Sequence, residues 1–151
     1  MSLFVLLKIV HILSAITALG ANLTYPFWLR RAARDRDRLL DTMEAIRQLD
    51  RRVANPAYGL AFLTGAGMVA TGAYSFQTFW IAAATVLFVL VAVLGSTVYA
   101  PAIRRQRAEA ERDITSGAYD AAARRQTAIG LVVTLLAVSI VVLMVTKPTP
   151  G

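Results

Sequence analysis

Lys8 and His11 stand three residues apart in a stretch, from Leu3 to Trp28, that is otherwise free of charge. On a helix that spacing puts both side chains on one face. The face continues through Ser14 and Ala15, Ala18, Asn22 and Tyr25, a stripe of polar and small residues. Ionisable groups within an apolar, membrane-length segment are costly and point first to function. His11 suits three tasks: axial ligand to a haem iron, proton carrier, or neutral hydrogen-bond partner for a neighbouring helix. Lys8 suits the carboxylate of a haem or porphyrin, or it snorkels to the surface on its apolar stem. With one His and no Cys in the chain, disulfides, iron–sulfur clusters and thiolate metal sites are excluded. So is a two-His cytochrome b centre within one chain.

Acid–base or nucleophilic catalysis lacks its parts. No Asp or Glu lies in an apolar stretch, and no charged residue occurs between Val53 and Ile103. His11 therefore has no carboxylate within its own segment to orient it. The glycine-rich segment around Gly65 has no phosphate-binding lysine and is no P-loop. The methionines at 43, 68 and 144 are dispersed along the chain, which gives copper little support.

The elements that must position these residues are helices in lipid. Of the 151 residues 57% are hydrophobic, above the roughly 45–50% of a soluble domain, and the excess falls into four blocks. They cover about 3–28, 57–76, 79–99 and 128–145. About 20 residues of helix cross a hydrocarbon core of about 30 Å. The expected architecture is all-α: one transmembrane domain over 1–151, an up-and-down bundle of four spans. All fourteen arginines lie in two segments, Arg30–Arg52 and Arg104–Arg125. The positive-inside rule places both in the cytoplasm and both termini outside. The net charge of +7 then serves topology and anionic lipid headgroups rather than nucleic acid. The short uncharged turn near Tyr74–Thr78 is the outer connection, with Tyr74, Phe76, Phe79 and Trp80 as interfacial aromatics; Tyr25, Trp28 and Tyr99 anchor the inner interface. The tail from Lys147 to Gly151 lies outside. Ala18-Leu19-Gly20 loosely resembles a signal-cleavage site, but the positive cluster follows the apolar run instead of preceding it, which favours an uncleaved span.

The basic connectors read as helical. Leu39, Leu40, Met43, Ile46, Leu49 and Val53 recur at helical spacing. Asn55-Pro56 reads as an N-cap followed by Pro at the first position of a new helix. Pro101 is expected to kink the third span, Ile103–Ile114 to prolong it, and Thr115-Ser116-Gly117 to break it. Gly59, Ala61, Gly65, Gly67, Ala70 and Gly72 make the second span the central packing element, with small-xxx-small spacing at Ala61 and Gly65.

Leu7-Lys8-Ile9-Val10-His11-Ile12, Gly20, the arginine-rich loop, Arg51-Arg52-Val53-Ala54-Asn55-Pro56 and Leu63-Thr64-Gly65 resemble a bacterial family of predicted integral membrane proteins of unknown function. More distantly the chain is similar to four-helix membrane protoporphyrinogen oxidases, which open with a similar Lys-x-x-His and end in a similar Val-x-Lys-Pro, here Val145-Thr146-Lys147-Pro148. In outline it also resembles CopD-like proteins. The oxidase resemblance implies a haem-associated role for His11. It also implies a lysine four residues after Trp80, where this chain has Ala84.

These readings lead to a multi-pass protein of the bacterial inner (cytoplasmic) membrane, non-enzymatic, acting as an accessory subunit of a larger membrane complex or as a homo-oligomer. The alternatives are a haem b or porphyrin-binding protein using His11 and Lys8, and a porphyrinogen-type oxidoreductase. A transporter or channel is disfavoured, because four short spans offer neither broken helices nor buried acids.

Overall fold

The computed structural model describes residues 2–149, so Pro150 and Gly151 of the expected outer tail lie outside the described residues. Among these the chain is helical, without strands, and comprises α1 (Leu3–Ala32), α2 (Arg36–Leu49), α3 (Asn55–Ala70), α4 (Phe79–Leu94), α5 (Ala100–Arg112) and α6 (Gly117–Thr146). A π-helical turn, Asp50–Ala54, joins α2 to α3, and a second, Gly95–Tyr99, joins α4 to α5.

Three helical runs are long and apolar enough to cross a membrane: Leu3–Ala32, Phe79–Arg112 and Gly117–Thr146. Leu13, Ile16, Leu63, Val86 and Val145 are each at least 59% exposed. Such faces are tolerable only with hydrocarbon as the solvent, where every helix satisfies its own backbone. The second apolar block differs from expectation. Its helix stops at Ala70, and Gly72 turns the chain at φ 76°. The 16 residues of α3 rise only about 24 Å, but the helical path already begins at Arg36.

The Asn55-Pro56 reading is corrected. Asn55 is helical, at φ −64° and ψ −45°, and its N–H bonds the carbonyl of Asp50, five residues back. Proline has no N–H and clashes with the preceding turn. Widening that turn by one residue removes the conflict without ending the helix. The same device precedes Pro101, where the Ala100 N–H reaches Gly95 O.

Side-chain caps mark the true starts. Asp35 accepts from Arg38 N at 3.1 Å, and Ser116 accepts from Tyr119 N at 3.1 Å. Each satisfies an N–H that the first helical turn leaves free.

Helix α1 packs along α3, α4 along α6, and α1 also touches α6. Helices α3 and α4 meet differently, through the stacked rings of Phe62 and Phe88, 5.4 Å apart. The two helix pairs therefore splay along this seam, and a cavity of about 320 Å³ opens among α1, α3, α4 and α6.

At the arginine-rich end, Leu39 and Met43 of α2 pack with Ala32, Ala110 and Tyr119. Glu44 clamps this layer, bonded to Arg47 at 2.8 Å and to Arg107 of α5 at 2.7 Å. Arg47, then Arg107 and Gln48, hold the Glu44 carboxyl down, from the ordinary 4.5 to about 2. A depressed carboxylate contributes stability above its ordinary range and loses it as pH falls toward the folded value. Acidification from 4.5 toward about 2 is thus expected to loosen α2 from α5, read as lower amide protection, relative to the intrinsic rate at each pH, in both helices. Glu44→Gln should show that lower protection already at neutral pH. Equal exchange in the variant and the parent would discard the clamp.

Candidate functional site

The stripe expected on α1 does face the other helices. Ser14, Ala18 and Tyr25 are buried, and His11 and Asn22 are half-buried. His11 and Lys8 both line the cavity. Small residues on α3 make this approach possible. A Cβ at Gly65 would stand 3.2 Å from His11 Cε1 and 3.4 Å from Nδ1; one at Gly67 would stand 3.3 Å from Leu7. Glycine eases the approach at both positions, because an added Cβ would press on the His11 ring or on Leu7 until that side chain shifted. The close α1–α3 contact uses these residues within the chain.

The imidazole is oriented by backbone. His11 Nδ1 lies 2.7 Å from the carbonyl oxygen of Ala61. A carbonyl only accepts, so Nδ1 carries a proton, and in the neutral ring Nε2 then keeps the lone pair. Thr64 Oγ1 is 3.3 Å from the same nitrogen, and its own hydroxyl donates to Leu60 O at 2.7 Å. Nε2 has no hydrogen-bond partner among the described residues, yet it is not a sealed, unsatisfied atom. A ring nitrogen left open while its twin donates to a carbonyl is the arrangement of metal-binding histidines. Ala61 O supplies the orienting group that the sequence lacked as a carboxylate.

The wall is otherwise apolar, with three additions not evident from the sequence. Met68 of α3 and Met144 of α6, far apart in sequence, both border the cavity. So does Lys147, the residue that ends α6, whose Nζ lies 5.7 Å from the Tyr74 ring centroid and 5.6 Å from that of Trp80. Ala84, where the oxidase resemblance implies a lysine, is 1% exposed and lies in the same wall. The composition of α6 signalled nothing about Lys147, because only the turn after α3 brings Tyr74 beneath it.

Deeper, toward the arginine-rich end, the polar residues pair with one another. Asn22 of the α1 stripe donates across to Tyr58 OH of α3 at 3.2 Å, and Gln126 donates to Tyr99 OH at 3.0 Å. Tyr25, expected as an interface anchor, is instead buried and donates to Asp50 Oδ1 at 2.7 Å. Burial pushes the Asp50 carboxyl up, and the Tyr25 hydroxyl partly offsets this. Trp28 is 48% exposed and is free to serve at an interface.

No group of three or more His, Cys, Asp or Glu side chains that could hold a metal ion occurs among the described residues. A protein-only metal centre of those ligands is therefore not assembled here. A haem needs less from the protein: one axial imidazole, an apolar wall and cations for its acid groups. His11 Nε2, the methionine-bearing wall and the lysines at the mouth fit that demand. The cavity volume of about 320 Å³ lies at the lower end of the range for small-molecule sites.

The family model described as "Predicted integral membrane protein (DUF2269)" matches residues 5–148, nearly the whole chain. No curated protein and no solved structure matches it.

Proposed function

The chain belongs to this family of predicted integral membrane proteins, and we propose that it is a non-enzymatic helical membrane subunit that holds a haem b, or a related porphyrin, in its four-helix cavity. The observation that carries the reading is the His11 imidazole. Its Nδ1 is tied at 2.7 Å to Ala61 O, which leaves Nε2 available as an axial ligand. Lys8 would meet a propionate, and Met68 and Met144 are further soft donors on the same wall. The bound group would supply reversible one-electron chemistry. The chain's own residues would fix its orientation and exclude water.

Against turnover, the wall offers a methyl group at Ala84 and no carboxylate among its residues. With His11 Nε2 committed to the bound group, no carboxylate remains in this wall to take a proton from a porphyrinogen. The reading is therefore a binding subunit, acting within a larger membrane complex or as an oligomer. It spans the bacterial inner membrane four times, with arginine segments in the cytoplasm and both termini outside. Arg30, Arg31, Arg51, Arg52, Arg104, Arg105, Arg124 and Arg125 make no ion pair among the described residues. They are suited to anionic headgroups at that face.

The test is an absorption spectrum of the protein purified in mild detergent, before and after dithionite, with added haem if the preparation is colourless. A Soret band that shifts on reduction is the expected result. A colourless protein that takes up no haem would end the reading.

A further inference from the structure

Two ammonium groups border the cavity at one end, and neither has an anionic partner among the described residues. Lys8 projects from α1 and Lys147 from the end of α6; both are exposed and both line the cavity. Neither side chain makes a hydrogen bond or an ion pair among the described residues. No Asp or Glu lies nearby along the chain, because every one belongs to the two arginine-rich connectors. Rings join the two positions. Tyr74 packs against Phe4, one helical turn from Lys8, at 5.7 Å, and against Trp80 at 5.3 Å. Lys147 stands over Tyr74 and Trp80.

The backbone supplies an independent sign. Lys147 is the single non-glycine residue with positive φ among the described residues, at φ 46° and ψ 55°. Glycine is the residue that this left-handed helix-ending position favours. A lysine held there against its backbone preference points to use of its side chain. The rings attract its charge but accept none of its three N–H donors in an ordinary hydrogen bond.

Resting on the cavity reading above, we infer that Lys8 and Lys147 form a paired seat for two acidic groups, so that the ligand class is an apolar molecule carrying two carboxylates at one edge. The apolar wall takes the body of such a ligand and leaves the acids at the mouth, where each meets an ammonium on a different helix. Charge-assisted bonds of this kind contribute enough that losing one weakens binding by roughly ten-fold.

The full chain, in nanodiscs of zwitterionic lipid, is titrated with metal-free protoporphyrin and with its dimethyl ester, followed by porphyrin fluorescence. The free diacid should bind at least about ten-fold more tightly than the ester. Lys147→Met should weaken the diacid by about that factor, leave the ester unchanged and be rescued by Lys147→Arg. Lys8→Met should act alike, and the double variant should bind both probes equally. Because the ester arm reports on the cavity itself, a misfolded variant is recognised by loss of both probes, and the Arg variant then decides. Equal binding of diacid and ester by the parent would overturn the paired seat and leave the haem reading standing. Uptake of neither probe would also overturn the paired seat, whereas the haem reading stands or falls on the dithionite spectrum with added haem. Displacement of the diacid by anionic lipid in the nanodisc, with Lys147 variants indifferent to the probe, would assign the lysines to headgroups and overturn the inference.

Discussion

His11→Ala is expected to abolish the haem spectrum of the purified protein while leaving its helices folded and its melting temperature nearly unchanged. The proposed ligand is the one imidazole in the chain, and it borders the cavity. No other side chain on α1 can take its place, because Lys8 lies a turn nearer the mouth. The stability cost should be small. Ala61 O, which loses the His11 proton, is still a backbone acceptor within the helical ladder of α3, so no carbonyl is orphaned. Interhelical polar bonds in membranes average about 0.6 kcal/mol. Ligation and folding are thus separable at this residue, which makes the experiment decisive. Imidazole added to the His11→Ala protein should enter the vacated space and restore part of the Soret band. A variant that retains the full parental spectrum would remove His11 from the role of ligand.

The second large effect is expected at Gly65. Leucine there would drive its Cβ to 3.2 Å from His11 Cε1, with three further carbons behind it. The imidazole must then leave Ala61 O, or α1 must move off α3. Overpacking of this kind costs about 1–3 kcal/mol, so Gly65→Leu should lower the melting temperature in detergent and also displace the haem. Gly59 is the matched control. A Cβ at Gly59 meets nothing within 4 Å, and alanine in a helix is favoured over glycine by about 0.5–1 kcal/mol. Gly59→Ala should therefore be neutral or slightly stabilising, with its spectrum intact. If Gly65→Leu melted and absorbed like the parent, the close approach of α1 to α3 would be wrong.

The polar stripe of α1 was legible because helical spacing is rigid. Lys8, His11, Ser14, Ala18, Asn22 and Tyr25 share a face on any straight helix, and an apolar environment drives that face toward other helices. The partners were not legible. Ala61 became the orienting group of His11 through its backbone oxygen, which carries no residue-type signal. Asp50 seemed to belong to a solvated connector, yet the π turn that starts at this residue directs it onto Tyr25. That turn also misled the reading of Asn55-Pro56. The pair does resemble a helix start, but a widened turn lets the chain pass proline without stopping. Met68 and Met144 looked dispersed because linear separation says nothing about which faces of α3 and α6 border the same space.

What the amino-acid order settles alone is the solvent. Long runs of Leu, Val, Ile, Ala and Phe must bond their own backbone, so they become helices in lipid, and the arginines collect where lipid ends. Those are local consequences of composition and period. The tertiary structure alone decided that Gly65 makes room for the His11 ring, that the α3–α4 seam stays open, and that Lys147 swings over Tyr74 and Trp80 at the cavity Lys8 also lines. Each depends on how two helices cross and where a turn ends. Such contacts are set by packing between distant segments, which no local pattern along the chain encodes.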